Sequence, residues 1–271
     1  MIQFLMMVSS LAHLTHGNIT TRVIGAIPTV IEQYPILAQL LVTWDTIQYV
    51  QHCAGSILTT HHVLTAAHCF RYDYSGIAKN FSHPTYWKVR VGSSYRSHGG
   101  TVIDLQQIIV HPQFKPFTYE NDLAIAILAK QLTFSDAIRQ GAVPPMNTEI
   151  KPDSPCMLVG WGATETRGEP SEQLMRVGMF TVDHDVCKSR YAGLGATITN
   201  SMICAGRLDT GGADGCHGDS GGPLIYQGLI VGLVSFGHEC GHPYYPGVYT
   251  KVASHTEWIV NAVTSTTNDR S

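Results

Sequence analysis

The sequence predicts an all-β protein, folded as sandwiches or barrels and closed by one C-terminal helix. Three observations lead there. Short apolar or alternating runs recur through the chain, separated by clusters of Gly, Pro, Asn and Ser. Only 14% of the 271 residues are charged, whereas there are 26 Gly and 13 Pro, a balance that disfavours helical bundles and disorder. No helix-length periodic segment separates the runs, which argues against a βαβ sheet.

Taken in order, residues 1–16 are mostly apolar (Ile2, Phe4, Leu5, Met6, Met7, Val8, Leu11, Leu14) and carry no Lys or Arg. The run is too short to span a bilayer and reads as a secretory signal over residues 1–17, with Thr15 and Gly17 before the cut. A buried N-terminal strand is the bland alternative. Strands are then expected at Ile36–Thr43, Gly55–Leu58, Lys88–Val91, Val102–Val110 and Leu123–Leu128. Met157–Val159, Val177–Val182, Leu229–Val234 and Gly247–Thr250 continue the pattern. Val252, Trp258, Ile259, Ala262 and Val263 recur at helical spacing, so the chain closes with a helix.

A net charge of −3 gives no reason to expect a nucleic-acid or membrane partner. The seven cysteines (Cys53, Cys69, Cys156, Cys187, Cys204, Cys216, Cys240) include no C-x-x-C pair, which speaks against a zinc ribbon or a thioredoxin-type site. Seven is odd, so one thiol is left over. Sequons at Asn18 and Asn80 are candidate glycosylation sites if the chain is secreted.

The chemistry-bearing stretch is Asp214–Pro223, where Ser220 sits in a glycine cluster directly after Asp219. Glycines let backbone N–H groups approach a ligand, as an oxyanion-binding loop requires. On its own the stretch reads equally well as an ordinary turn. Upstream, His68 lies among small apolar residues, and Asp122 opens an apolar strand where an unpaired charge would be costly. The order His, Asp, Ser is one of those found in acyl-transfer triads.

With these motifs the chain resembles the trypsin-like serine proteases of the chymotrypsin fold. Leu-Thr-Ala-Ala-His-Cys, Asn-Asp-Leu-Ala, Val-Gly-Trp-Gly (159–162), Gly-Asp-Ser-Gly-Gly-Pro and Pro-Gly-Val-Tyr-Thr-Lys-Val (246–252) carry the likeness, from Arg22 to the closing helix. It implies two six-stranded antiparallel β-barrels packed face to face with a C-terminal α-helix. His68, Asp122 and Ser220 would form the catalytic triad, with Ser235 supporting Asp122 and the Gly218 and Ser220 N–H groups binding the oxyanion. Asp214 would lie at the base of a primary pocket walled by Gly237 and Gly247 and lined by Ser235, Tyr191 and Tyr249. A carboxylate there suits substrates with Arg or Lys at the cleavage site.

The resemblance further implies a zymogen. An activation peptide of residues 18–22 would be cut after Arg22, freeing the Val23 ammonium to pair with Asp219 within a protease domain of residues 23–271. It implies the bridges Cys53–Cys69, Cys187–Cys204 and Cys216–Cys240, and leaves Cys156 free because its usual partner position is Tyr226. The expected protein is secreted and monomeric, uses no cofactor, and meets protein substrates and protein protease inhibitors.

Departures from the family pattern include Phe236 for a usual Trp, His217 for Gln, Glu239 at the pocket rim, and a long Phe70–Lys88 loop. Ser93–Gly100, matching the calcium loop of vertebrate trypsins, contains no carboxylate, so no metal is expected. The missing calcium site and the lost Cys156 bridge resemble insect extracellular trypsins, lepidopteran ones in particular. Two competitors are a zinc protease through His238-Glu239-x-x-His242 and a catalytically inactive binding protein on the same fold. The zinc motif needs both histidines on one helix face, and Pro243 and Pro246 follow too soon for that.

Overall fold

A computed structural model describes residues 26–71, 81–163 and 168–268. Asn18, Arg22, Val23 and Asn80 lie outside these residues, as does much of the long loop after Phe70. The first barrel closes in the order β2 (Leu37–Val42), β3 (Val50–Ile57), β4 (His62–Thr65), β7 (Ala124–Leu128), β6 (Thr101–Val110) and β5 (Trp87–Val91). The second closes in the order β8 (Pro155–Gly160), β9 (Met175–Val182), β10 (Met202–Gly206), β13 (Gly247–Lys251), β12 (Leu229–Phe236) and β11 (Pro223–Tyr226). A two-residue β1 (Ile27–Pro28) pairs with the outside of β9. The architecture is thus two six-stranded antiparallel barrels, as expected.

The element pattern departs from the sequence reading in several places. A helix, α1 (His184–Ala192), interrupts the strands of the second half. Only Cys187 and Tyr191 of α1 are buried, so it has no amphipathic stripe to read; its legible signal is Asp183, whose side chain accepts the N–H groups of Asp185 and Val186 at 3.0 Å. The strands β1, β4, β10 and β11 were also not anticipated. β4 and β10 are short and buried at every residue, so no alternation marks them. The closing helix, α2, runs Thr256–Asn268, and Val252 belongs to a preceding 3-10 turn.

Each barrel has its own apolar filling, and a third cluster seals the seam. Leu58, Leu64, Leu123, Ile125 and Ile127 of the first barrel pack there on Ile230, Leu233, Val252 and Ile259. This seam holds the neighbourhoods of Asp122 and Ser235 together although the two residues come from different barrels. Three disulfides join the pairs expected from the resemblance. Cys156 is free and buried, and burial pushes its thiol up to about 11, leaving it neutral and unreactive at physiological pH.

The segment 93–100 is held together without carboxylates of its own. Ser93 Oγ donates to His98 O at 2.6 Å and accepts the Tyr95 N–H at 2.9 Å. The Arg90 guanidinium donates to the carbonyls of Arg96 and Ser97 and to Gln39 Oε1. Arg90 therefore puts a fixed cation among the oxygens of this loop, which does not fit a calcium ion. Chelator should leave the melting temperature unchanged, whereas Arg90→Met should lower stability by about 1–3 kcal/mol by stranding these acceptors, as thermal unfolding will measure.

Candidate active site

Where β4 ends, a 3-10 turn (Ala67–Phe70) presents His68, and the Cys53–Cys69 bridge ties that turn to β3. Asp122 enters from the start of β7 and is fully buried. One carboxylate oxygen accepts the His68 backbone N–H at 2.8 Å, and the other meets His68 Nδ1 at 2.7 Å. From the second barrel, Ser235 Oγ donates to Asp122 Oδ2 at 2.5 Å and Thr250 Oγ1 donates to Asp122 O at 2.7 Å. A buried carboxylate is tolerated when hydrogen bonds satisfy it, and here they also fix its direction. With Nδ1–H turned to Asp122, Nε2 is left as the basic nitrogen, able to take a proton from a hydroxyl.

Ser220 is brought to this pair through backbone. Its carbonyl accepts the Ala54 N–H at 2.8 Å, and Gly221 N donates to Val234 O at 2.8 Å. Gly221 has φ +76°, and a Cβ there would lie 2.2 Å from Thr65 Oγ1 and 2.6 Å from Ala66 N. Only glycine lets the serine turn press this closely on the strand leading to His68. Among the described residues Ser220 Oγ makes no hydrogen bond to the His68 ring. The N–H groups of Gly218 and Ser220 likewise donate to no acceptor among the described residues. Two unspent N–H groups beside a hydroxyl suit a developing oxyanion.

Asp214 is a partly buried carboxylate. It accepts from Gly215 N (2.7 Å), Gly241 N (3.3 Å) and Tyr249 OH (3.4 Å), and burial raises it to about 7. A Cβ on Gly247 would come within 2.1 Å of its Oδ1, whereas one on Gly237 would find ordinary contact at 3.7 Å. Gly247 is thus demanded by the carboxylate itself, whereas Gly237 is not. Tyr191 stands behind this wall, its hydroxyl donating to Pro246 O at 2.7 Å.

Asp219 is enclosed on the other side of the same turn. It accepts from Gly162 N (2.7 Å) and Cys216 N (3.2 Å), and burial raises it to about 6. A Cβ on Gly160 or Gly162 would sit 2.1 Å from its oxygens, the physical content of the Val-Gly-Trp-Gly motif. No ion pair to Asp219 forms among the described residues. A cavity of about 30 Å³ beside it is lined by Ala26, Gly160, Gly162, Arg176 and Asp214.

Tyr119 escaped the sequence reading. Its ring lies 5.6 Å from that of His68 and 5.3 Å from that of Phe236, bridging the barrels beside the site. Its proximity to Asp122 in sequence was the available signal. His238 and His242 sit in the loop between β12 and β13, not on a helix, and Cys240 between them is bridged to Cys216. The one-face arrangement that a His-Glu-x-x-His zinc site requires is not formed. His217 is exposed, and Glu239 takes a left-handed φ of +59° at the rim.

The family profile described as Trypsin matches residues 23–259. The chain is 39% identical over 240 residues to "Trypsin, alkaline C" of Manduca sexta, covering 89% of this chain and 90% of that one. It is 39% identical over 238 residues to "Trypsin CFT-1" of Choristoneura fumiferana (88% and 90% covered) and 33% identical over 238 to "Trypsin 5G1" of Aedes aegypti (88% and 84%). Likeness of this extent, over a fold that brings His68 onto a buried Asp122, leaves one assignment: the chain belongs to the trypsin family of serine endopeptidases.

Proposed function

We propose that this protein is a secreted zymogen whose mature form cleaves peptide bonds after Arg or Lys. The observation that carries the specificity is Asp214, a partly buried carboxylate a few residues before the candidate nucleophile, which desolvation raises to about 7. An Arg or Lys side chain satisfies such a group, whereas an apolar one leaves it unpaired. Ser220 attacks the scissile carbonyl while His68 Nε2 takes the hydroxyl proton. Asp122 holds the tautomer and stabilises the imidazolium that forms. Gly218 and Ser220 N–H groups bind the oxyanion. His68 then delivers the proton to the leaving amine, and water repeats the sequence on the acyl-enzyme.

Residues 1–17 act as the secretion signal and 18–22 as the activation peptide, and three disulfides favour an oxidising compartment. The zymogen reading is supported by Asp219, a buried carboxylate that makes no ion pair among the described residues. Ala26 lines the cavity next to it, and Val23 is only three residues upstream, within about 10 Å of chain. A Val23 ammonium entering there supplies the missing charge and orders the Ser220 turn. Substrates and protein inhibitors then approach a monomer.

Hydrolysis of a small Arg ester by purified protein, with N-terminal sequencing to locate the cut, tests this reading. Arg22→Gln should hold the chain uncut with kcat/KM lowered roughly 10²–10⁴-fold, as expected for a buried charge left unpaired. An uncut chain as active as the cut one would refute the zymogen reading.

A further inference from the structure

The turn carrying Ser220 is held from outside by a side chain that the family motifs do not include. Gln51, near the start of β3, donates from Nε2 to Gly218 O at 2.6 Å and to Cys53 O at 3.1 Å. Its Oε1 is enclosed and has no hydrogen-bond partner, lying 3.4 Å from where a Cβ on Gly218 would be. Gly218 has φ +102°, a region with little steric restraint for glycine, so its peptide planes need external fixing.

The plane before Gly218 is fixed by one hydrogen bond and the plane after it by two, one of them Asp219 N donating to Cys216 O at 2.9 Å. His217 O accepts the Ala163 N–H at 2.8 Å, and Gly218 O accepts Gln51 Nε2. In a trans peptide the C=O and N–H point opposite ways. Anchoring His217 O on Ala163 therefore aims the Gly218 N–H away from Ala163. Anchoring Gly218 O on Gln51, opposite the Asp219 N–H held by Cys216 O, stops the glycine from rotating out of that setting. A side chain serving only to fill space there would do so better as an apolar residue of equal length, since Gln51 leaves its own oxygen enclosed and unpaired.

We propose that Gln51 is a positioning residue that holds the Gly218 N–H in its oxyanion-binding orientation, acting from the first barrel on a donor of the second. The inference rests on the reading of Gly218 and Ser220 as oxyanion donors. It gives the first barrel a direct hold on transition-state binding without touching the primary pocket.

The test uses the enzyme cut after Arg22, with Gln51→Met removing the donor at constant length. Two inhibitors are compared: benzamidine, a cation for the Asp214 pocket, and a peptidyl arginine aldehyde, whose carbonyl adds Ser220 Oγ and places its oxygen on the donors. The aldehyde should bind 10–100-fold more weakly to the variant, part of the 10²–10³-fold loss expected when a donor is removed outright. Benzamidine binding should stay within twofold, and kcat should fall with KM nearly constant. If Gln51→Met does not fold, Gln51→Glu carries the same comparison, because a carboxylate cannot donate to Gly218 O. Equal losses for both inhibitors, or no loss for either, would overturn the inference. An unmodified enzyme that binds the aldehyde no better than benzamidine would instead overturn the oxyanion reading, and the inference with it.

Discussion

Ser220→Ala in the cut enzyme should lower kcat on an Arg amide about 10⁶-fold, and Asp122→Asn about 10⁴-fold, with KM little changed in both. The two losses have different causes. Ser220→Ala removes the attacking oxygen. Asp122→Asn keeps the shape of the side chain but offers His68 Nδ1 an amide instead of a carboxylate. His68 Nδ1 and Ser235 Oγ both meet Asp122 Oδ2, and the His68 backbone N–H meets Oδ1. An Asn cannot accept from all three: NH₂ in the Oδ1 place opposes the His68 backbone N–H, so it turns to the Oδ2 place, where it donates to Nδ1 and pushes the imidazole toward the wrong tautomer. Combining the two changes should add little, since residues acting as one unit are not additive. Steady-state kinetics on refolded variants, with unchanged circular dichroism, are the check.

Asp214→Ser should lower kcat/KM for Arg substrates roughly 10²–10⁴-fold, the range for breaking a buried charge pair. Substrates with an apolar side chain at the same position should gain, because they no longer desolvate a carboxylate. The same residue sets a pH dependence. Desolvation holds Asp214 at about 7 in the free enzyme, far above the usual carboxylate range, and a bound cation favours its ionised form. Benzamidine binding should therefore be constant well above pH 7. It should weaken about tenfold per unit as pH falls below 7, until the carboxyl titrates within the complex. Calorimetric titration with this inhibitor reads the effect without catalysis, and Asp214→Ser should abolish the slope.

Much of this site was legible because the relevant residues are close in sequence. Asp214, Gly218, Asp219 and Ser220 lie in one turn, and the glycines announce a backbone that must pass close to something. What they approach was not visible. The collisions at Gly160, Gly162 and Gly247 show that several glycines are there to make room for carboxylates. The union of His68 with Asp122 and Ser235 depends on the barrel seam, and no local pattern encodes it. Only the resemblance to a family supplied that long-range pairing.

The residues that stayed hidden share a physical reason. Gln51, Tyr119 and Arg90 act through contacts between distant strands, and each belongs to a residue type common on any surface. α1 went unread because its burial rests on Cys187 and Tyr191 alone, and β10 because a fully buried strand has no alternation. The His-Glu-x-x-His string illustrates the reverse case, a complete motif that the fold never puts on a helix.

The proposed mechanism requires Ser220 to form an acyl bond with substrates that Asp214 selects. Mass spectrometry of the cut enzyme, quenched in acid after mixing with an arginine ester, reads this directly. One acyl group per chain should be found on the peptide containing Ser220, absent from His68→Ala and from enzyme given the matching leucine ester. Acylation at another residue, or equal acylation by both esters, would contradict the account.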